Sequence, residues 1–277
     1  MTPAPFSLRP AFAHCPLLIT VCHAGRAYSR ELLAMARVPE RTLAELEDPL
    51  VDQLAASART DGAGLLAANA PRALIDLNRA PNDLDPSAVR GGTRWRPTAR
   101  ARLGLGVLPT RLPGAGALWR TPVPATELER RIADVHAPFH EQTARELAGA
   151  LDRCGTALLL DLHSMPPLAE GTQVVFGDRN GSSCSSRFAA AAARAAAEHG
   201  LSFAFNAPYA GGHVVARHGR PLAGVHALQV ELSRDLYLDA SGRRPGAGWD
   251  ATAAFVGALA RALIDEVPPM AWQAAAE

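Results

Sequence analysis

Leu158–Ser164 reads LLLDLHS. The apolar run predicts a short buried strand over Ala157–Leu162, and that strand delivers Asp161, His163 and Ser164 at its C-terminal end. Strand ends of this kind build sites in α/β proteins. The arrangement recurs at Leu17–His23, LLITVCH, where a strand predicted over Pro16–Cys22 runs into His23. A third apolar strand, Ala227–Leu232, carries Glu231. Two imidazoles and a carboxylate thus stand at the ends of three separate strands.

Working outward, further strands are predicted at Arg72–Leu77, Gln173–Phe176 and Ser202–Asn206. Helices alternate with them. Arg41–Arg59 carries Leu43, Leu46, Leu50 and Leu54 at helical spacing. Thr126–Arg153 opens on Thr126 with Glu127 and Glu129 close behind, Ser185–His199 is alanine-rich and stopped by Gly200, and Asp250–Val267 closes the chain. Strand–helix alternation predicts an α/β fold: one domain over residues 1–277, with a mixed, mostly parallel sheet flanked by helices. Pro81–Pro124 is rich in Gly, Pro and Arg with little periodicity, and reads as an irregular surface excursion lying over the site.

Composition narrows the function classes. With 277 residues, 48% of them hydrophobic, the chain can bury a sizeable core. A net charge of +1 gives no field favouring nucleic acid or anionic membrane, and neither is expected as a partner. The 4 cysteines lack metal-finger or disulfide-framework spacing. With no signal peptide or membrane-length apolar run, a cytoplasmic protein is expected. The oligomeric state is left open.

His23 or His163 taken alone reads most simply as a buried residue capping a strand. Together with an acidic residue they match what a zinc hydrolase needs: two imidazoles, one carboxylate and an open position. Asp161, two residues before His163, shares its strand face and is placed to orient it. Asp48 and Asp52 lie four apart at a predicted helix start, on one face. Asn78-Arg79 ends the predicted strand Arg72–Leu77, where arginine offers a fork for a carboxylate. Alternation puts Glu231 on one face of a buried strand, where an unpaired carboxylate is costly, so it is expected to face a polar cleft as a general base; Arg234 or Arg217 would be its partner in a purely structural role. Gly211-Gly212 and Arg217-His218-Gly219 mark a polar loop, or more simply a hairpin, before that strand.

In order along the chain, VCHAG (21–25), LEDPLVDQL (46–54), RALIDLNRAP (72–81), LLLDLHS (158–164), FGDRNGSSCS (176–185) and the stretch AGGHVVARHGRPLAGVHALQVELSRDLYLD (210–239) resemble segments of the N-formylglutamate amidohydrolase family. That family is similar in fold to zinc carboxypeptidases and aspartoacylases. The resemblance implies one Zn2+ per chain held by His23, an acidic residue of the Asp48/Asp52 pair (Asp48 preferred) and His163. It implies Glu231 as general base, Asn78 and Arg79 as ligands of the substrate α-carboxylate, and Arg72 beside the scissile carbonyl or a second carboxylate. Gly212 and Arg217 belong to the substrate-binding stretch. The implied partner is a small N-acyl amino acid such as N-formylglutamate, or a short peptide. A peptide-processing metallohydrolase of carboxypeptidase type, or a non-catalytic metal-binding protein of the same fold, are the alternatives. Cys22 stands where the family has proline, His213 where it has tyrosine, and Ala216 where arginine is frequent. The 81–124 region lacks the usual aromatic, Asn-rich insertion, which bears on specificity more than on metal chemistry.

Overall fold

The computed structural model describes residues 4–57, 62–91 and 97–268. Seven strands form one sheet: β1 Phe6–Arg9, β2 Leu17–Val21, β3 Gly64–Ala68, β4 Ala157–Met165, β5 Val174–Gly177, β6 Phe203–Phe205 and β7 Val225–Ser233. Their spatial order is β1-β3-β2-β4-β7-β5-β6. The pairs β3/β2, β2/β4, β4/β7 and β5/β6 are parallel; β1/β3 and β7/β5 are antiparallel. The fold is therefore α/β with a mixed, mostly parallel sheet, and the three strands that lead to His23, His163 and Glu231 are its parallel centre.

Helices cover both faces. They are α1 Val51–Ser57, α2 Ala125–Arg131, α3 Ala137–Cys154, α4 Ser186–Glu198, α5 His213–His218 and α6 Trp249–Asp265. A π turn over Ile132–His136 joins α2 to α3. On one face of the sheet Ile19, Leu160 and Val230 pack with Leu54 of α1, Phe188 of α4 and Phe255 of α6. On the other face Leu18, Leu159 and Ala227 pack with Phe139 and Leu147 of α3 and Val214 of α5. Because strand side chains alternate, this second face continues as Thr20, Asp161 and Gln229, then Cys22, His163 and Glu231. It turns from apolar to polar along the strands, towards their C-terminal ends. Register fixes the lateral match: Asp161 lies beside Gln229 and His163 beside Glu231.

Three expectations are corrected. Arg72–Leu77 is not a strand. Buried Ala73, Ile75 and Leu77 gave it an apolar reading, but Asp76 Oδ1 accepts the Asn78 amide at 2.8 Å and folds the backbone into turns. The strand on that side of the sheet is β3, whose GLLAA composition has weak β propensity. Arg41–Arg59 is not one helix. It is helical over Glu40–Leu43, tightens to a 3-10 turn at Ala44–Leu46 and resumes only at α1, while residues 58 and 59 lie outside the described residues. Pro49 disfavours the helical region for Asp48, and Leu50 is left-handed with φ of 61°. Asp48 thus precedes the helix and shares no helix face with Asp52. Finally, Gly211-Gly212 leads into α5 rather than a hairpin.

The 81–124 excursion, described except at residues 92–96, contributes buried Leu84, Val107, Leu118 and Trp119 to the core on the polar-site side. It is part of the packing rather than only a surface loop. No helix among the described residues is long and apolar enough to cross a membrane.

Candidate metal centre and active site

His23 and His163 follow or end neighbouring parallel strands and are both buried. Their rings lie 4.7 Å apart between centroids at an interplanar angle of 62°. Each uses its two nitrogens in opposite directions. Nδ1 of His23 and Nδ1 of His163 approach the same oxygen, Asp48 Oδ2, at 3.4 and 2.9 Å. Nε2 of His23 meets Asp76 Oδ1 at 2.8 Å, and Nε2 of His163 meets Asp161 Oδ2 at 2.8 Å. Two imidazoles facing one carboxylate, with their far nitrogens held by further carboxylates, form the donor set that binds and orients zinc-type ions. The residues present therefore fit such an ion.

Cys22 Sγ belongs to a second possible triad: one ligand atom each from Cys22, His23 and His163 lies within 4.8 Å of the others. Its sulfur, however, is 3.7 Å from His163 Nε2, the nitrogen given to Asp161. It thus sits behind the ring, away from Asp48. The geometry favours Asp48 as the third donor.

Asp48 is itself held in place. Ser164 Oγ donates to Asp48 Oδ1 at 3.3 Å, and Arg234 reaches Asp48 Oδ1 at 3.4 Å and the Glu47 carbonyl at 2.6 Å. Burial opposes ionisation of Asp48, but hydrogen bonds from His163 and His23 keep its carboxyl well below the usual range. Asp52 lies elsewhere, paired at the surface with Arg26 at 2.8 Å.

Glu231 is buried beside His163. Burial pushes its carboxyl up to about 7, opposed by the charge of His163 and reinforced by Asp48. Gln229 Nε2 donates to Glu231 Oε1 at 2.9 Å, while Gln229 Oε1 accepts from Gly212 N at 2.7 Å and from Asn78 Nδ2 at 3.2 Å. Asn78 Oδ1 accepts from Val214 N at 2.9 Å. The amides of Gln229 and Asn78 thus tie the Asn78 turn and the start of α5 to the carboxylate. A Cβ on Gly212 would lie 2.2 Å from Asn78 Oδ1, so this position needs glycine for close approach. Gly212→Ala is expected to lower stability by about 1–3 kcal/mol, the usual range for overpacking. A chemical-denaturation midpoint equal to that of the unsubstituted protein would show that the Asn78 turn yields freely.

The arginines divide into bound and available. Arg72 Nε donates to Asp76 Oδ2 at 2.8 Å and Arg72 Nη1 to the Leu46 carbonyl at 3.3 Å. Arg79 is half-buried, and burial lowers its pKa despite the charge of Asp76; its guanidinium makes no hydrogen bond to the described residues. Arg217 is exposed on α5. Neither Arg234 nor Arg217 pairs with Glu231: Gln229 takes that place.

Sequence reading missed Asp76, Gln229 and Arg234 as parts of the site. Asp76 joins His23, Arg72 and the Asn78 amide on one carboxylate, and its carboxyl is held well below the usual range, burial opposing and Arg72 and His23 prevailing. Period-two spacing on β7 could have found Gln229, since it shares a strand face with Glu231. Nothing local marked Arg234, which reaches Asp48 across 186 residues of chain.

The chain is similar to known proteins over most of its length. A family model for N-formylglutamate amidohydrolase matches residues 15–238. The chain is 34% identical over 233 residues to an N-formylglutamate deformylase of Pseudomonas aeruginosa, covering 81% of this chain and 82% of the relative. It is 32% identical over 233 residues to one of Pseudomonas putida, with the same coverage of 81% and 82%. A crystal structure of N-formylglutamate amidohydrolase from Ralstonia eutropha JMP134 superposes with a TM-score of 0.89 at 31% identity, covering 95% of this chain and 98% of that one. By sequence and by fold, the chain belongs to the N-formylglutamate amidohydrolase family.

Proposed function

We propose that this chain is a zinc-dependent amidohydrolase that cleaves the N-acyl amide of a small N-acylated amino acid of the N-formylglutamate kind. One zinc ion per chain would be held by His23, Asp48 and His163. The observation that carries this reading is the approach of both Nδ1 atoms to Asp48 Oδ2, with Asp76 and Asp161 holding the far nitrogens. The substrate class is supported by relatives named N-formylglutamate deformylase.

A zinc ion held by these residues would supply Lewis acidity toward the acyl oxygen and would lower the pKa of water. Glu231 would take a proton from water as the water oxygen bonds to the acyl carbon, and would hand that proton to the departing nitrogen, so that the C–N bond breaks with a neutral amine leaving. Gln229 holds Glu231 by one oxygen and leaves the other for the proton. Arg72, anchored on Asp76, adds positive charge where the acyl oxygen becomes negative. Asn78 and Arg79 take the substrate α-carboxylate. Gly212 spares the space Asn78 occupies, and exposed Arg217 offers a cation to a second carboxylate.

The test is whether the free carboxylate is read. Arg79→Lys keeps the charge and loses the planar fork, so KM for N-formylglutamate is expected to rise at least about tenfold with little change in thermal midpoint, in line with a lost charge-assisted bond of roughly 1.5–3 kcal/mol. The unsubstituted enzyme should strongly prefer the free α-acid over its α-amide, and the variant should lose most of that preference. Equal cleavage of acid and amide by the unsubstituted enzyme would make Arg79 structural and favour the peptide-processing reading.

A further inference from the structure

A second group of histidines lies behind the turn that carries Asn78 and Arg79. His136 closes the π turn, His140 follows one turn later in α3, and His213 and His218 begin and end α5. Ring centroids are 4.5 Å apart for His136 and His140, 5.0 Å for His140 and His213, and 5.7 Å for His136 and His213. One ligand atom from each of these three lies within 4.8 Å of the others.

Their hydrogen-bond partners decide which nitrogens carry lone pairs. A backbone carbonyl only accepts, so His136 Nε2 donates to the Arg79 carbonyl at 2.8 Å and His140 Nε2 to the Leu77 carbonyl at 2.9 Å. Each ring is oriented by that bond and left with an unprotonated Nδ1, the pattern that outer partners impose on metal-binding histidines. His213 Nε2 is buried and has no hydrogen-bond partner among the described residues. A buried nitrogen left unpaired is costly, so the arrangement is an expensive way to fill space with rings alone. Burial also keeps the cluster uncharged: it lowers His136, takes His140 to about 2, and takes His213 and His218 to about 4. Neutral imidazole is the form that binds metal.

We propose that His136, His140 and His213 form a second transition-metal site, separate from the His23–Asp48–His163 centre. The ligand chemistry is all-imidazole with no carboxylate, which suits zinc(II), cobalt(II) or nickel(II) and disfavours magnesium and calcium. His218 Nε2, which now donates to His140 Nδ1 at 3.0 Å, gives way to the ion or turns to join it. The positive charge of Arg217, felt by both His136 and His213, makes this the weaker of the two sites. Because His136 and His140 hold the carbonyls of Arg79 and Leu77, an ion here would stiffen the turn that presents Asn78 and Arg79.

The test counts metal directly. Full-length protein is stripped with a chelator, dialysed against cobalt(II), and read by elemental analysis and visible absorption. The unsubstituted protein is expected to take two equivalents, the second more weakly, and His213→Phe one. His23→Ala is expected to keep only the second equivalent, and it reports on the other centre alone. His213→Ala repeats the count if the phenyl ring disturbs the fold by circular dichroism. Saturation of the unsubstituted protein at one equivalent, or two equivalents in either folded His213 variant, would overturn the proposal.

Discussion

His163→Ala is expected to lose the metal of the His23–Asp48–His163 centre, and with it nearly all amidase activity. Removing the ring takes away one donor and frees Asp48 and Asp161, two buried carboxylates that now share it. An uncompensated buried charge is costly, so the midpoint of thermal unfolding should fall as well. Cys22→Ala should keep the metal, because its sulfur faces the nitrogen already given to Asp161. Elemental analysis of both variants checks this; full occupancy in His163→Ala would remove that residue from the centre. A linked result concerns protons. Burial and Arg72 oppose charge on His23, yet Cys22, Asp76 and Asp48 outweigh them and raise its pKa to about 10 in the metal-free protein. His163 is also raised, burial opposing and Asp161 prevailing. His23 then carries its proton at pH 8 before metal arrives, His163 is shifted in the same direction, and uptake should expel at least one proton. Calorimetry in buffers of different protonation enthalpy measures that number. The sign follows: acidification favours the protonated rings and weakens metal binding.

Glu231→Gln should lower kcat by about 10²–10⁴-fold, the usual contribution of a general base, while metal content stays unchanged. The carboxyl works as a base only when ionised. Activity should therefore fall as pH drops through its pKa, which burial sets at about 7 without metal and which a nearby dication would shift downward. The variant should lose that acid limb. Turnover near that of the unsubstituted enzyme, or an unchanged acid limb, would assign the proton transfer to another group.

The sequence carried much of this architecture. LLLDLHS, LLITVCH and ALQVEL are local signals, because burial demands continuous apolar runs and a strand end has a defined exit. The pairing of Asp161 with His163 was legible for the same reason: two residues on one strand face lie side by side whatever the rest of the fold does. β3 was not legible, since Gly and Ala carry little strand preference and only its place between β1 and β2 makes it a strand. Arg72–Leu77 misled because its buried Ala73, Ile75 and Leu77 look like a strand, whereas Asp76 spends its oxygens on the turn and on His23.

What the sequence determined by itself was the strands β2 and β4 to β7, the longer helices and the residue types at their ends. That followed from periodicity and from the cost of burying charge. Tertiary structure decided which charges meet. Parallel register set His163 beside Glu231, Pro49 and left-handed Leu50 lifted Asp48 off the helix, and Arg234 arrived from the far end of the chain to hold it. The four-histidine cluster belongs to this second kind: the spacing of His136 and His140 is readable on a helix, but only the packing of α5 against α3 brings His213 and His218 to them. Local pattern limits which groups a site can contain, and long-range packing alone fixes the distances that turn them into one.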